Sequence, residues 1–199
     1  MKIKYLLYSG LVIPAIFWIT TFICGFIQGD YNHFSRLVSE LGAIGTSSQY
    51  FFTVGLILCS ILSILFVTGL YKSCRALKLS TVPVLIILFY SVSIAGAAIF
   101  PLPLRLHEIM GMPSILLILS PLFSLFLWNG KNKLPMITQM SILSLIVMLT
   151  GFLVYFPDIL SNSFGLKQRF FHFGWSIWFI YLSFSFLRIT KEKMNIKVV

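Results

Sequence analysis

Acidic side chains are scarce in this chain: Asp and Glu together number five in 199 residues, and charged residues of both signs reach only 10%. A water-soluble domain carries about 25% charged residues. That shortfall excludes a water-soluble enzyme, a disordered tail and a DNA-binding domain. Cysteine is also sparse, and Cys24, Cys59 and Cys74 show no metal or redox spacing. Cys24 and Cys59 lie inside apolar runs and read as small packing residues. Internal repeats and low-complexity segments are missing. No apolar run carries a charged residue near its middle, which argues against a proton relay or an ion-coupled carrier.

What is present is apolar length. Hydrophobic residues make up 58% of the chain and the mean hydropathy is +0.97. Six apolar segments stand out, approximately 5–27, 50–71, 82–100, 109–128, 134–156 and 170–187. A spanning helix needs roughly 20 such residues, so the expected fold is an all-α polytopic bundle of six transmembrane helices in a single integral membrane domain over 1–199. The first segment is longer than the apolar core of a signal peptide and reads as a retained span.

The formal charge of +10 suggests a polyanion partner until the cations are sorted by position. Lys2, Lys4, Lys72, Arg75, Lys78, Lys131, Lys133, Arg188, Lys191, Lys193 and Lys197 fall on one side of the six spans; Arg36, Arg105, Lys167 and Arg169 fall on the other. The positive-inside rule then puts both termini in the cytoplasm, which agrees with an even number of spans. No nucleic-acid partner is expected. The bias toward Ile, Phe, Lys, Ser and Leu is that of an A+T-rich bacterial genome, so the expected location is a bacterial cell membrane.

The remaining acids and histidines gather on the outer side. Asp30, Glu40, Glu108, Asp158, His33, His107 and His172 lie there, and only Glu192 is on the inner side. Three stretches carry the chemistry: 35–42, 100–108 and 165–172. On a helix starting near Leu166, Gln168, Arg169, His172 and Ser176 share one face. Arg105 and Arg169 are candidates to neutralise Glu40 and Asp158, or to present planar donors to a phosphate or carboxylate. His107 or His172 beside Glu40 is a candidate acid-base pair. The candidate ligand-binding set is therefore Ser39, Glu40, Arg105, His107, Gln168, Arg169 and His172, with Glu40, His107 and His172 as catalytic candidates. His33 with Asp30 reads as solvated loop surface. No metal spacing such as HExxH occurs, paired histidines for haem are missing, and no cofactor is expected.

Within the spans, Gly55, Cys59 and Ser63 form a small-residue stripe, and Ser91, Ala95 and Gly96 another, both suited to close helix approach in lipid. Pro14, Pro83, Pro113 and Pro135 lie within or near span starts, whereas Pro121 sits mid-span and should kink the fourth helix. Trp18, Trp128, Trp175 and Trp178 read as interfacial belt plus core.

Ser39-Glu40-Leu41-Gly42, Phe100-Pro101 followed by His107, and Gly165-Leu166-Lys167-Gln168-Arg169 with Trp175 resemble the six-span membrane family known as domain of unknown function 998. The likeness covers nearly the whole chain. One departure is Pro103, where that family commonly has an aspartate two residues after the Phe-Pro proline, so an acidic function expected there is missing unless Glu108 or Asp158 supplies it. A looser layout similarity to the damage-regulated autophagy modulator group implies involvement with membrane lipids. The expected function is a multi-pass membrane protein whose outer polar cluster binds a lipid headgroup or small polar ligand. A lipid-modifying hydrolase or transferase and a small-molecule transporter are the alternatives. Membrane lipids are the expected partners, and self-association into a homo-oligomer is left open.

Overall fold

The computed structural model describes residues 2–129 and 134–196, the last six as backbone only. Lys131, Lys133 and Lys197, counted above with the inner cations, lie outside the described residues, as do the side chains of Lys191, Glu192 and Lys193.

Six helical segments are long and apolar enough to cross a bilayer: Ile3–Gln28, Gln49–Leu77, Val82–Ile99, Arg105–Leu127, Ile137–Tyr155 and Phe164–Thr190. The first is one helix, α1 (Ile3–Gln28), and the second is α2 (Gln49–Leu77). The third is α3 (Val82–Leu85) followed by α4 (Ile87–Ile99). The fourth is broken into α5 (Arg105–Gly111), a 3-10 helix at Met112–Ile118, and α6 (Leu119–Leu127). The fifth is α7 (Ile137–Thr150) tightening into a 3-10 helix at Gly151–Tyr155, and the sixth lies within α8 (Phe164–Ile196).

The spans form a ring in chain order: α1 packs on α2, α2 on α4, α4 on the fourth span, α6 on α7, α7 on α8 and α8 back on α1. Neighbours in sequence are thus neighbours in space, the usual result of short connections. α8 leans inward. Its Trp175, Trp178, Phe179 and Phe186 are fully buried, with Trp175 against Tyr90 of α4 and Phe179 against Phe66 of α2. Trp128 is also in the core and half-buried Trp18 stacks on Phe173, so the tryptophans serve packing far more than an interfacial belt.

Small residues make the seams, as the stripes predict. An added side-chain carbon at Gly55 would strike Thr20, and one at Gly174 would meet the Met148 backbone nitrogen at 2.6 Å. Ser63 and Ser91 are hydrogen-bonded at 2.7 Å, and Ser120 joins Pro83 to Trp178.

Three expectations change. The sixth span begins at Phe164, not at 170: Lys167 and Arg169, which depress the local hydropathy, lie within it and are buried. Pro121 does not kink a continuous helix: the preceding 3-10 segment has already broken the span, and Pro121 sits in the first turn of α6. There its missing amide proton costs little. Pro14, by contrast, lies inside the unbroken α1.

Candidate functional site

The connection between α1 and α2 is built as a roof. Asn32 Oδ1 accepts the amides of Phe34 and Ser35, an Asx turn that starts the fold of the loop. A short 3-10 helix at Val38–Gly42 follows. Glu40 closes it: Oε1 accepts the Leu37 amide at 2.8 Å and Oε2 accepts Arg36 Nε at 2.8 Å. Gln28 and Ser48 hydrogen-bond to each other and both donate to the Leu41 carbonyl, tying the turn to the two spans it connects.

α8 fastens this roof to the bundle. Arg169 is 5% exposed and all four of its terminal N–H groups are used. They reach the Arg36 carbonyl at 3.0 Å, the Gly165 carbonyl at 2.9 Å, the Tyr31 hydroxyl at 3.0 Å and His33 Nδ1 at 3.0 Å. A planar guanidinium can serve such a divergent set of acceptors; an ammonium cannot. Gly165 is required here, since a side-chain carbon would collide with the Arg36 carbonyl. Gln168 Oε1 accepts the Val38 amide at 2.6 Å. Lys167 is buried as well, donating to the Phe156 carbonyl at 2.9 Å.

His33 is therefore not solvated surface. Arginine only donates, so His33 Nδ1 accepts and the ring is neutral. Burial, and then the positive charge of Arg169, hold its pKa below the ordinary 6.5. Burial likewise raises the Tyr31 hydroxyl above its usual value.

Beneath the roof lies a cavity of about 580 Å³. Its walls are mainly apolar, including Phe17, Phe52, Leu56, Ile94 and Phe171. Polar groups come from all three stretches singled out in the sequence: Ser39 from the first, His107 and Glu108 from the second, Gln168 and His172 from the third. The first and third stretches touch directly, through Val38 to Gln168 and Arg169 to the Arg36 carbonyl, and just beyond the first stretch the Ile44 amide donates to the Leu102 carbonyl at 2.8 Å.

The two histidines on the wall hold opposite tautomers. His107 Nδ1 faces the carbonyls of Ala97 at 3.1 Å and Phe100 at 2.9 Å, so it carries the proton and Nε2 keeps a lone pair. His172 Nδ1 accepts the Trp175 indole N–H at 3.0 Å, so its proton is on Nε2. Gln168, with Oε1 engaged, keeps its NH2 group as a donor.

Three expected site residues are elsewhere. Glu40 pairs with Arg36, not with Arg105 or Arg169, and is not on the cavity wall. Arg169 turns into the roof, and Arg105 is exposed at the start of α5. The physical reason is local: Arg36 stands four residues before Glu40 and reaches it at little entropic cost, while also lying 3.8 Å from Asp30.

One wall residue was not anticipated. Tyr90 is 3% exposed, lines the cavity, and its hydroxyl has no hydrogen-bond partner among the described residues. Its sequence signal was the stripe Tyr90, Ser93 and Ala97, which are three and seven apart on α4 and all line the cavity.

Fold and site together define a six-span helical membrane protein with a roofed, largely apolar cavity at one end of the bundle. The model of a family described as "Protein of unknown function (DUF998)" matches residues 11–185, and the chain belongs to that family. No curated protein and no solved structure matches it.

Proposed function

We propose that this protein binds the polar end of a lipid or other small amphiphile in the roofed cavity, with Tyr90, His107, Gln168 and His172 as the recognising groups. The observation that carries this reading is the cavity itself, mainly apolar with Ser39, His107, Gln168 and His172 on its wall; Tyr90 also lines it, and its buried hydroxyl has no hydrogen-bond partner among the described residues. A buried hydroxyl left unsatisfied costs about 1–3 kcal/mol, and a ligand acceptor in the cavity would remove that cost. The volume is in the range of small-molecule sites, about 300–1,000 Å³, and apolar walls with a few convergent polar groups are their usual make-up. The excess of cations at the opposite end supports an orientation with the cavity on the outer face. A hydrolase or transferase built on Glu40 and a histidine is less well supported, because both Glu40 oxygens are engaged within the roof.

Tyr90→Phe tests the proposal. The lipid-free variant in detergent is expected to be more stable than wild type by about 1–3 kcal/mol, because it no longer buries an idle hydroxyl. It is also expected to gain less thermal stability than wild type when vesicles of the expression host's total lipid extract are added. A variant that loses stability when lipid-free, or gains as much from lipid as wild type does, contradicts the proposal.

A further inference from the structure

The way into the cavity and the charges around it narrow the ligand. The fourth and fifth spans pack along each other at α6 and α7, but toward the roof they part. Met112 of the fourth span and Tyr155 of the fifth both line the cavity and both are 62% exposed, so they flank its mouth. Met112 lies seven residues into the fourth span, which at about 1.5 Å per residue is on the order of 10 Å below its end. Tyr155 is the last residue of the fifth span, so the mouth runs along the flank of the bundle from the span end at Tyr155 down to Met112. Both spans are in 3-10 conformation beside it, Met112–Ile118 on one side and Gly151–Tyr155 on the other.

Among the described residues the wall holds no lysine or arginine. The two buried cations of α8 are already engaged, Arg169 by two carbonyls, a hydroxyl and an imidazole in the roof and Lys167 by the Phe156 carbonyl, and the acidic residue Glu108 is part of the wall. A phosphate brought here would give up its hydration with no cation to pair it, which is strongly unfavourable. The inner groups are donors: Tyr90 O–H, His172 Nε2–H and the Gln168 NH2. Uncharged acceptors, namely carbonyl oxygens, complement them. His107 Nε2 and Glu108 are acceptors suited to a ligand hydroxyl.

We infer that the ligand is an uncharged lipid whose polar end presents carbonyl oxygens, and that it enters sideways from the bilayer between the fourth and fifth spans at Met112 and Tyr155. This rests on the cavity being a binding site, as proposed above. Two kinds of lipid share the chemistry: a diacylglycerol, with ester carbonyls and a free hydroxyl, and a prenylquinone, with ring carbonyls.

The test uses the full-length protein in phosphatidylcholine vesicles and three photoreactive, clickable probes: diacylglycerol, prenylquinone and phosphatidic acid. The diacylglycerol and phosphatidic acid probes carry the same chains and differ only in the phosphate. Crosslinked peptides are mapped by mass spectrometry. The diacylglycerol probe, the quinone probe or both should label residues 107–115 and 151–155 several-fold more than phosphatidic acid does, and excess unlabelled lipid of the same kind should compete. Which of the two labels identifies the source of the carbonyl. Gly111→Phe should reduce that labelling, because Gly111 lines the cavity and an added side-chain carbon there meets nothing within 4 Å. Unlabelled competition gives the same answer if that variant does not fold. Equal or stronger labelling by phosphatidic acid overturns the uncharged ligand while leaving a binding cavity. Absence of cavity labelling by all three overturns lateral access by lipid; if lipid also stabilises Tyr90→Phe as much as wild type, the binding proposal itself has failed.

Discussion

At the scale of single residues, Arg169 and His33 have the clearest consequences. Arg169 joins four acceptors on two separate parts of the chain, and its replacement by Ala removes the donor to the Tyr31 hydroxyl and to His33 and one of the two donors to the Arg36 carbonyl. Hydrogen bonds to charged groups contribute about 1.5–3 kcal/mol each. Allowing for relaxation, Arg169→Ala should cost roughly 2–4 kcal/mol in thermal or denaturant unfolding. Arg169→Lys should recover little of it, because one ammonium cannot reach all four sites. His33 adds a pH dependence. Its folded-state pKa is lowered by burial and by Arg169, so the neutral ring is favoured in the fold. The corresponding stability is fully present above the ordinary pKa of 6.5 and is lost as pH falls through the lowered value. Melting temperatures measured between about pH 7.5 and about pH 5 should fall more steeply for wild type than for His33→Asn; parallel slopes would remove His33 as the cause. The sequence made part of this site legible. Ser39, His107, Gln168 and His172 could be grouped because they stand at the ends of spans that had to meet at one interface. The pairing of Glu40 with Arg36, the burial of Arg169 and the idle Tyr90 hydroxyl depend on the path of the loop and on side-chain directions, which spacing alone does not carry.

At the scale of elements, the seam between the fifth and sixth spans is set by two glycines. A side-chain carbon at Gly151 would stand 2.8 Å from the Phe171 backbone nitrogen, and one at Gly174 would meet the Met148 backbone, so neither clash can be relieved by rotating a side chain. Gly151→Ala and Gly174→Ala are each expected to destabilise the protein by about 1–3 kcal/mol, the usual cost of overpacking. Gly111→Ala, where the space is open, should be nearly neutral. Thermal unfolding of the three variants in one detergent checks the ranking, and a Gly174→Ala variant as stable as Gly111→Ala would show that α7 and α8 are not in backbone contact. This packing explains why span number and approximate limits were readable while their internal breaks were not. Six apolar runs of spanning length have essentially one reading in a bilayer, where the backbone must satisfy its own hydrogen bonds. The 3-10 segment of the fourth span carries Pro113 and runs into Pro121, whereas that of the fifth span, Gly151–Tyr155, contains no proline. Neither Pro113 nor Pro121 has an amide to donate, and together they bracket the irregular stretch of the fourth span.

At the scale of the whole molecule, orientation rests on the cation count, eleven on one side of the spans against four at the cavity end. Of the four cations counted at the cavity end, Arg36 is paired with Glu40 and lies near Asp30, Lys167 donates to a carbonyl beneath the surface, and Arg169 is buried in the roof. Arg105 alone of these four is exposed. On the cation count the cavity should open toward the outer leaflet, with both termini in the cytoplasm. All three native cysteines are buried, which leaves the wild-type chain nearly silent to thiol reagents. Ser35 in the roof loop and Lys78 after α2 are exposed, on opposite ends of the bundle. A membrane-impermeant maleimide applied to intact cells should label Ser35→Cys and leave Lys78→Cys unlabelled until the membrane is permeabilised. The reverse pattern would invert the topology and place the cavity, with its lateral mouth, in the inner leaflet.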